Sequence, residues 1–257
     1  MTDNVYWRRV AAPLLIVVAL FVVWEASCRV FDISSFILPK PSAIFVTMVE
    51  RFPALWPNLW QTIVTTTIGF ALSLAIGIFF GALIGMSRLA YDALYPILVG
   101  ISSIPKVALI PIFVVWLGAG TGPAILTACV ISFFPIVVNV ATGLATTEPE
   151  LEDILQSLNA SKLDIFWNVG LPRTMPYLFA AMKVAISIAF IGSITSETIA
   201  SNRGIGNAML IATTNFDMPL AFAALMLISI TGVIFYFLFV MLENRMTGWA
   251  QRNKKTR

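Results

Sequence analysis

The sequence predicts an all-α integral membrane protein with about six transmembrane helices. Hydrophobic residues make up 59% of the 257 residues and charged residues only 11%, whereas soluble domains carry about 25% charged residues. The mean hydropathy is +0.90. The apolar residues are grouped into runs long enough for a helix of about 20 residues, the length that crosses a bilayer.

Six apolar runs are candidate spans. The first follows Arg8 and Arg9 and lacks an Ala-x-Ala cleavage site, so we expect it to be retained. The second is rich in Gly and Ala, which let helices approach closely. The third is interrupted by Pro105, Lys106 and Pro111, so its backbone is expected to break. Within a single domain of residues 1–257, the spans are expected near residues 10–30, 61–86, 94–117, 124–146, 177–199 and 219–242.

A polar segment at residues 147–176, here called the polar loop, separates the fourth and fifth spans. Thr147 and Glu150 have the spacing of a capping box, which predicts that a helix starts here. Apolar residues then recur at three- and four-residue steps, so one face of this helix is apolar and the other is acidic. The apolar face consists of Leu151, Ile154, Leu155 and Leu158.

The polar loop also contains signals for a turn and a second helix. Asn159 stands where the first helix should stop, because Asn tolerates the left-handed conformation of a helix C-cap. Ser161 and Asp164 repeat the capping spacing and predict a second short helix. Leu171-Pro172 is expected to end that helix.

Basic residues predict the orientation, because cytoplasmic loops of membrane proteins carry an excess of Lys and Arg. With the N-terminus in the cytoplasm, that side receives Arg8, Arg9, Arg88, Lys162, Arg173, Arg245, Arg252, Lys254, Lys255 and Arg257. The other side receives only Arg29, Lys40, Arg51 and Arg203. We therefore expect both termini and the polar loop in the cytoplasm, where the loop is either a docking surface or an ordinary helical surface loop.

The polar loop resembles the coupling loop of ABC importer permeases, which has a Glu-Ala-Ala triplet, a downstream glycine and a closing Leu-Pro pair. Asn159 stands at the glycine position and Asp153 at the glutamate position, with Glu152 beside it as the alternative. Leu171-Pro172 matches the closing pair. The departure at the glycine preserves the C-cap geometry, since Asn is the usual substitute for Gly there.

The resemblance extends over about residues 12–245. The run from Ser103 to Gly118 is similar to the third-span signature of the nitrate/sulfonate/taurine branch of these permeases. Glu197, followed by Gly204-Ile-Gly206, looks like the Glu and Gly-Leu-Gly pattern of the same branch. The chain is thus identified as a member of this family, which implies the type I importer permease fold with a cytoplasmic coupling helix.

The resemblance implies a permease subunit in a bacterial inner (plasma) membrane. In this family two permeases, here a homodimer in lipid, pair with cytoplasmic ATPase subunits and receive solute from an external binding protein. The solute would be a nitrate-, sulfonate- or taurine-like anion or a small heterocycle. The residues expected to couple to the ATPase are Glu152, Asp153, Leu155, Leu158, Asn159, Ala160, Leu171 and Pro172.

The chain is not expected to be an enzyme, because it has no phosphate-binding loop motif. ATP and Mg are therefore expected on the partner subunit, with no cofactor on this chain. The sequence has no histidine, and Cys28 and Cys129 do not form a Cys-x-x-Cys motif, so a metal site is not expected. The net charge of +3 comes largely from the C-terminal tail, so it says little about nucleic acid, and no nucleic-acid partner is expected.

Four ionisable residues fall at membrane depth, where charges are costly and usually functional. They are Glu25, Lys106, Lys183 and Glu197. Glu197, with Ser193 and Ser196 beside it, and Lys106 are the candidates for contact with the solute. The structural alternatives are packing for Glu197, a nearby helix break for Lys106, snorkelling for Lys183 and pairing with a polar neighbour for Glu25.

Two other functions are alternatives to the importer. An ion-coupled secondary transporter would also use buried ionisable residues and a broken helix, but corresponding broken helices in two halves are missing. An intramembrane enzyme would need a catalytic motif such as His-Glu-x-x-His or Gly-x-Ser-x-Gly, and neither occurs. Neighbouring genes for an ATPase and a secreted binding protein would favour the importer.

Overall fold

The computed structural model describes residues 3–146, 154–155 and 157–247, and its described part is helical. The helices are α1 (Asp3–Val30), α2 (Pro41–Glu50), α3 (Phe52–Gly85), α4 (Arg88–Ser102), α5 (Ile110–Leu117), α6 (Thr121–Ala145), α7 (Lys162–Ile165), α8 (Leu171–Ala200), α9 (Ile205–Thr214) and α10 (Met218–Met246). A 3₁₀ turn, Lys106–Leu109, precedes α5, and a π turn, Phe166–Gly170, precedes α8.

Five of these helices, namely α1, α3, α6, α8 and α10, are long and apolar enough to cross a membrane. The stretch from α4 to α5 is a sixth candidate that is bent by 75°. The bend falls at Ser103–Pro105, because proline lacks an N–H and disfavours helix at the residue before it. The prediction of an all-α membrane protein with about six spans is therefore confirmed.

The close packing of α3 along α6 forms one side of the core. Glycines on α3 recur at multiples of four residues and face α6, namely Gly69, Gly77, Gly81 and Gly85. A Cβ atom added at Gly77 would lie 2.7 Å from Ile136 Cγ2. One added at Gly81 would lie 2.7 Å from Val140 Cβ. The two helices approach this closely because glycine has no side chain, as is common in membrane helix pairs.

Large apolar side chains fill the other side of α6, where α8 packs against it. Phe179, Ile186 and Phe190 of α8 belong to the same buried cluster as Ile136 of α6. The rings of Phe70 and Phe239 lie 5.3 Å apart and connect α3 with α10. Helices α3, α6, α8 and α10 therefore share one core.

Two short apolar helices are α2, which follows the end of α1, and α9, which follows the end of α8 remote from the polar loop. They share a second buried cluster with the start of α3 and with α10, which includes Ile44, Leu55, Ile205 and Leu227. Most of helix α1 is exposed, since only 6% of its apolar stretch is buried within the subunit, and its end contacts the start of α2 through Glu25 and Ser42. The fold thus combines a tight central core with an exposed first helix.

Candidate functional site

The turn of the polar loop ends its first helix as predicted. Asn159 has φ +65°, the left-handed conformation expected of a C-cap residue. The N–H of Ala160 donates to the carbonyl of Leu155 at 3.0 Å, which is the long hydrogen bond of a Schellman motif. The Leu158 N–H donates to the carbonyl of Ile154 at 3.2 Å. The prediction of a left-handed turn at Asn159 is confirmed.

The second helix of the polar loop starts with the predicted capping pair. The N–H of Ser161 donates to the Asp164 carboxylate at 3.0 Å, and the Asp164 N–H donates to Ser161 Oγ at 3.2 Å. The Ser161 hydroxyl also donates to the carboxylate at 2.5 Å. Hydrogen bonds to the ionised form favour it, so these bonds from Ser161 lower the pKa of Asp164 below its ordinary value.

The capped turn leaves large apolar side chains on the surface of the polar loop. Ile154 is 55% exposed and Leu158 is 72% exposed, whereas Leu155 and Ala160 are partly buried. Trp167, which the sequence patterns did not single out, is 62% exposed. The remaining predicted loop positions, Thr147, Glu150, Leu151, Glu152 and Asp153, lie outside the described residues.

The prediction that Leu171-Pro172 ends the second helix is wrong. Helix α7 continues through the π turn directly into α8, which begins at Leu171. Pro172 lies in the first turn of α8, where the missing N–H of proline is tolerated. The wider hydrogen-bond pattern of a π turn lets the chain change from the loop to the membrane helix without a break. The polar loop is therefore joined directly to the long helix that carries Glu197.

Glu197 on α8 is fully buried and accepts hydrogen bonds from three helices. Thr62 Oγ1 and Thr65 Oγ1, both on α3, donate to its carboxylate at 2.6 and 3.1 Å. Ser193 Oγ, one turn earlier on α8, donates at 3.5 Å. The Gly206 N–H at the start of α9 donates at 3.2 Å. This carboxylate joins α3, α8 and α9.

Gly204 explains the Gly-Ile-Gly pattern that follows α8. Its φ is +103°, and a Cβ atom there would lie 2.3 Å from Glu197 Cδ, so both the backbone and the space require glycine. The N–H of Ile205 donates to Thr62 Oγ1 at 2.9 Å. Of the two roles left open by the sequence, packing and solute contact, this geometry favours packing for Glu197 and Ser193.

Ser196 is also fully buried, and its Oγ has no hydrogen-bond partner among the described residues. It therefore lies away from any surface of the isolated subunit. The threonine partners of Glu197 were missed by sequence patterns, because Thr62 is 135 positions away along the chain. Within the described ranges, no group of three or more His, Cys, Asp or Glu residues is arranged to hold a metal ion.

The other three ionisable residues at membrane depth have different surroundings. Glu25 pairs with Arg29, with Oε1 to Nη2 at 2.6 Å, and accepts from the Ser42 N–H at 3.0 Å in the first turn of α2. Lys183 on α8 pairs with Glu243 on α10 at 2.6 Å. Lys106 begins the 3₁₀ turn at the bend, and its amino group donates to backbone carbonyls of Ser102 and Ile104.

The architecture matches a known class of membrane transport subunits. A solved structure of the MetNI methionine ABC transporter in an inward-facing conformation superposes with a TM-score of 0.67. The match covers 77% of this chain and 98% of that chain at 20% identity, so it shows the fold. The helices adopt the type I ABC importer permease fold.

The sequence comparisons give the family. The profile described as "Binding-protein-dependent transport system inner membrane component" matches residues 73–248. The formylaminopyrimidine transport permease protein ThiX of Halalkalibacterium halodurans is 31% identical over 241 residues, which cover 93% of this chain and 96% of the relative. The putative aliphatic sulfonates transport permease protein SsuC of Bacillus subtilis is 24% identical over 238 residues, which cover 92% and 86%. The chain belongs to the family of binding-protein-dependent inner membrane transport components.

Membership in this family establishes the general function. The chain is a permease subunit of an ABC importer and works together with a solute-binding protein. The ion-coupled secondary transporter is not favoured. The family is the membrane subunit of such importers and not itself the ATPase.

Proposed function

We propose that the polar loop of this permease docks a cytoplasmic ATPase subunit, which binds and hydrolyses ATP with Mg. The observation that carries the proposal is the capped turn at Leu158-Asn159-Ala160, which leaves Leu158 72% exposed. Exposed apolar clusters on otherwise polar surfaces mark interaction sites. A short, hydrogen-bonded turn that presents a leucine is well suited to enter a pocket on a partner.

The docking surface combines exposed apolar side chains with acidic neighbours. Ile154, Leu158 and Trp167 supply the exposed apolar groups, and tryptophan is enriched among residues that dominate binding energy. Glu152 or Asp153 supplies the acidic contact of the coupling motif. Because α7 and the π turn continue into α8 at Leu171-Pro172, a movement of the docked loop would pass directly into a membrane helix.

The second partner is another copy of this chain, so that two subunits enclose the solute path. Helix α4 supports this, because none of its side chains, all of which the structure describes, is buried within the subunit. Ile104, at the bend between α4 and α5, is also exposed. Lipid acyl chains cover the remaining apolar surface, including most of α1.

The solute is a small anion of the nitrate, sulfonate or taurine type or a small heterocycle. Both kinds occur among the relatives, whose printed names refer to sulfonates in one case and to formylaminopyrimidine in the other. An external binding protein delivers the solute. Thermal-shift screening of ligands on the cognate solute-binding protein would identify it.

The docking proposal is tested by Leu158→Asp in the intact permease. We expect ATPase co-purification and solute uptake to be lost, while the thermal stability of the permease is unchanged, because the side chain lies on the surface. The matched control is Ser157→Asp, which adds the same charge at an exposed position on the polar face. Normal co-purification of the ATPase with Leu158→Asp would contradict the proposal.

The orientation, with both termini in the cytoplasm, is tested by thiol labelling in intact cells. In a background of Cys28→Ala and Cys129→Ala, Phe45→Cys should react with an impermeant reagent from outside. Lys162→Cys should react only after the membrane is opened. Labelling of the Lys162→Cys variant from outside would place the polar loop on the external side, where it could not contact a cytoplasmic ATPase.

A further inference from the structure

The bend between α4 and α5 places a positive charge near the middle of the bundle. Lys106 is the first residue of the 3₁₀ turn at the bend. Its Nζ lies 4.8 Å from the ring centroid of Phe134. Phe134 is close to the midpoint of α6, which runs through the core from Thr121 to Ala145. The ammonium group is therefore near half the depth of this helix.

The hydrogen bonds of Lys106 leave part of the ammonium group available. An ammonium group has three N–H donors. Two of them reach the carbonyls of Ser102 and Ile104, the second at 3.4 Å. Among the residues that the structure describes, Lys106 has no carboxylate partner. The ring of Phe134 attracts the ammonium group as a cation–π contact, and the positive charge has no anionic partner in the described subunit.

Two of the other three ionisable residues at membrane depth have a charged partner, and the third, Glu197, is fully buried among neutral hydrogen-bond donors. Lys183 pairs with Glu243, and Glu25 pairs with Arg29. Lys106 is half-buried, and the residues before it at the bend, Ser103 and Ile104, are exposed. A charge without a counter-ion is costly against acyl chains, and such residues face the bundle interior or a water-filled cavity. The open side of the bend is therefore expected to face water between two subunits.

We propose that Lys106 is a solute-selecting residue that binds solutes with an anionic oxygen group, such as a sulfonate or a carboxylate, as they pass the bend. The free N–H donates to the solute oxygen, while the two backbone carbonyls hold the side chain in place. This inference rests on the proposed path between two permease copies. Of the two solute classes proposed above, small anions and small heterocycles, the inference favours the anions.

The positive charge can be measured without knowing the solute. In a background of Cys28→Ala and Cys129→Ala, Ser103→Cys places a thiol at the exposed bend. Its reaction rates are measured with an anionic reagent, sulfonatoethyl methanethiosulfonate, and with a cationic one, trimethylammonioethyl methanethiosulfonate. Coulomb attraction to Lys106 raises the anionic-to-cationic rate ratio, and Lys106→Met should lower that ratio about tenfold or more.

Two controls separate the charge from general disruption of the fold. Lys106→Arg keeps the charge and should keep the rate ratio. Leu89→Cys, exposed at the far end of α4, should give a ratio that Lys106→Met does not change. With the complex reconstituted, Lys106→Met should also raise the KM for uptake of a sulfonate more than it lowers the maximal rate.

Two results would overturn the assignment of Lys106 as a solute-selecting residue. An unchanged rate ratio in Lys106→Met, or a thiol at position 103 that reacts with neither reagent in any state of the transport cycle, would overturn the inference. A loss of transport with an unchanged ratio would assign Lys106 to capping the broken helix alone. Failure of the ATPase to co-purify with the native chain would instead refute the proposed docking function, and the rate ratio would still measure the charge.

Discussion

Glycine in the contact between α3 and α6 and asparagine in the turn of the polar loop have opposite effects on the surface of the protein. At Gly77 and Gly81 the absence of a side chain lets α3 and α6 pack closely along their lengths. At Asn159 a left-handed backbone stops a helix, so that Leu158 is presented on the surface. One region is specified by close packing within the chain, and the other by what it leaves exposed for a partner.

This difference predicts which substitutions change the stability of the subunit and which change its assembly and transport. Substitutions in the α3–α6 contact are expected to change the stability of the subunit. Substitutions in the polar loop are expected to change assembly and transport with little effect on stability. The predictions below test this separation, beginning with the largest expected effect.

The largest effect is expected from Gly81→Ala in the helix contact. The added Cβ would lie 2.7 Å from Val140 Cβ, so the helices must move apart. Overpacking of this kind destabilises by about 1–3 kcal/mol. The measurement is the thermal unfolding temperature of the permease in detergent, together with the yield of folded protein.

The matched control for that substitution is Gly232→Ala on α10. An added Cβ at Gly232 would meet no atom within 4 Å. Alanine is favoured over glycine in a helix by about 1 kcal/mol, so this variant should be unchanged or more stable. The same substitution, glycine to alanine, would then destabilise the subunit only where the added Cβ meets another helix. Equal shifts would show that the close contact does not stabilise the core.

An effect of similar size is expected from Glu197→Gln. The residue Glu197 lies between the core and the short helix α9. The amide keeps one acceptor oxygen but turns an N–H₂ group toward the donors of Thr62 and Gly206. Leaving buried donors without acceptors costs about 1–3 kcal/mol. We expect a lower unfolding temperature and a proportionate loss of assembled complex.

Ser196→Ala is the control for Glu197→Gln, since its hydroxyl has no hydrogen-bond partner within the described part of the chain. Removing an unpaired buried hydroxyl should leave stability unchanged or slightly higher. If Glu197→Gln instead assembled normally and only uptake fell, Glu197 would be a solute-path residue. That result would favour solute contact over packing as the role of Glu197.

A smaller effect, confined to coupling, is expected at Asn159. Asn159→Gly should be tolerated, because glycine adopts the left-handed conformation without strain. Asn159→Val should impair ATP-driven uptake, since a β-branched residue is strongly disfavoured at φ +65°. The measurement is uptake relative to ATP hydrolysis in proteoliposomes, with the unfolding temperature as a check on stability. Equal coupling in the two variants would show that this backbone conformation is not needed.

The predictions that succeeded from sequence depend on local rules. The capping pair of Ser161 and Asp164, the left-handed Asn159 and the break near Pro105 are each determined by residues a few positions apart. Such signals need no knowledge of the rest of the fold. The six apolar runs are equally visible, because the bilayer sets their length.

The features that sequence patterns missed depend on distant contacts. Helices α2 and α9 are short, and their apolar residues become buried only beside α3 and α10. The partners of Glu197 lie on α3, far away along the chain. Leu171-Pro172 was misassigned because proline usually marks a helix end, whereas a π turn before it lets the helix continue.

The smallest expected effect concerns the pH response of the capping pair in the polar loop. The hydrogen bonds from Ser161 lower the pKa of Asp164 below the ordinary value of 3.8. A carboxyl group with a lowered pKa in the folded state stabilises the fold above its ordinary pKa, and this contribution is lost as the pH falls through the lowered pKa. Ser161→Ala should therefore move the midpoint of the Asp164 titration up toward 3.8. Titration of the carboxyl carbon by NMR in the full-length labelled protein measures this midpoint. Because the group is on the surface, the unfolding temperature at neutral pH should hardly change, in contrast to the variants of the helix contact. An unmoved midpoint would mean that the capping pair does not hold its hydrogen bonds in solution, and the turn that presents Leu158 would then depend on Asn159 alone.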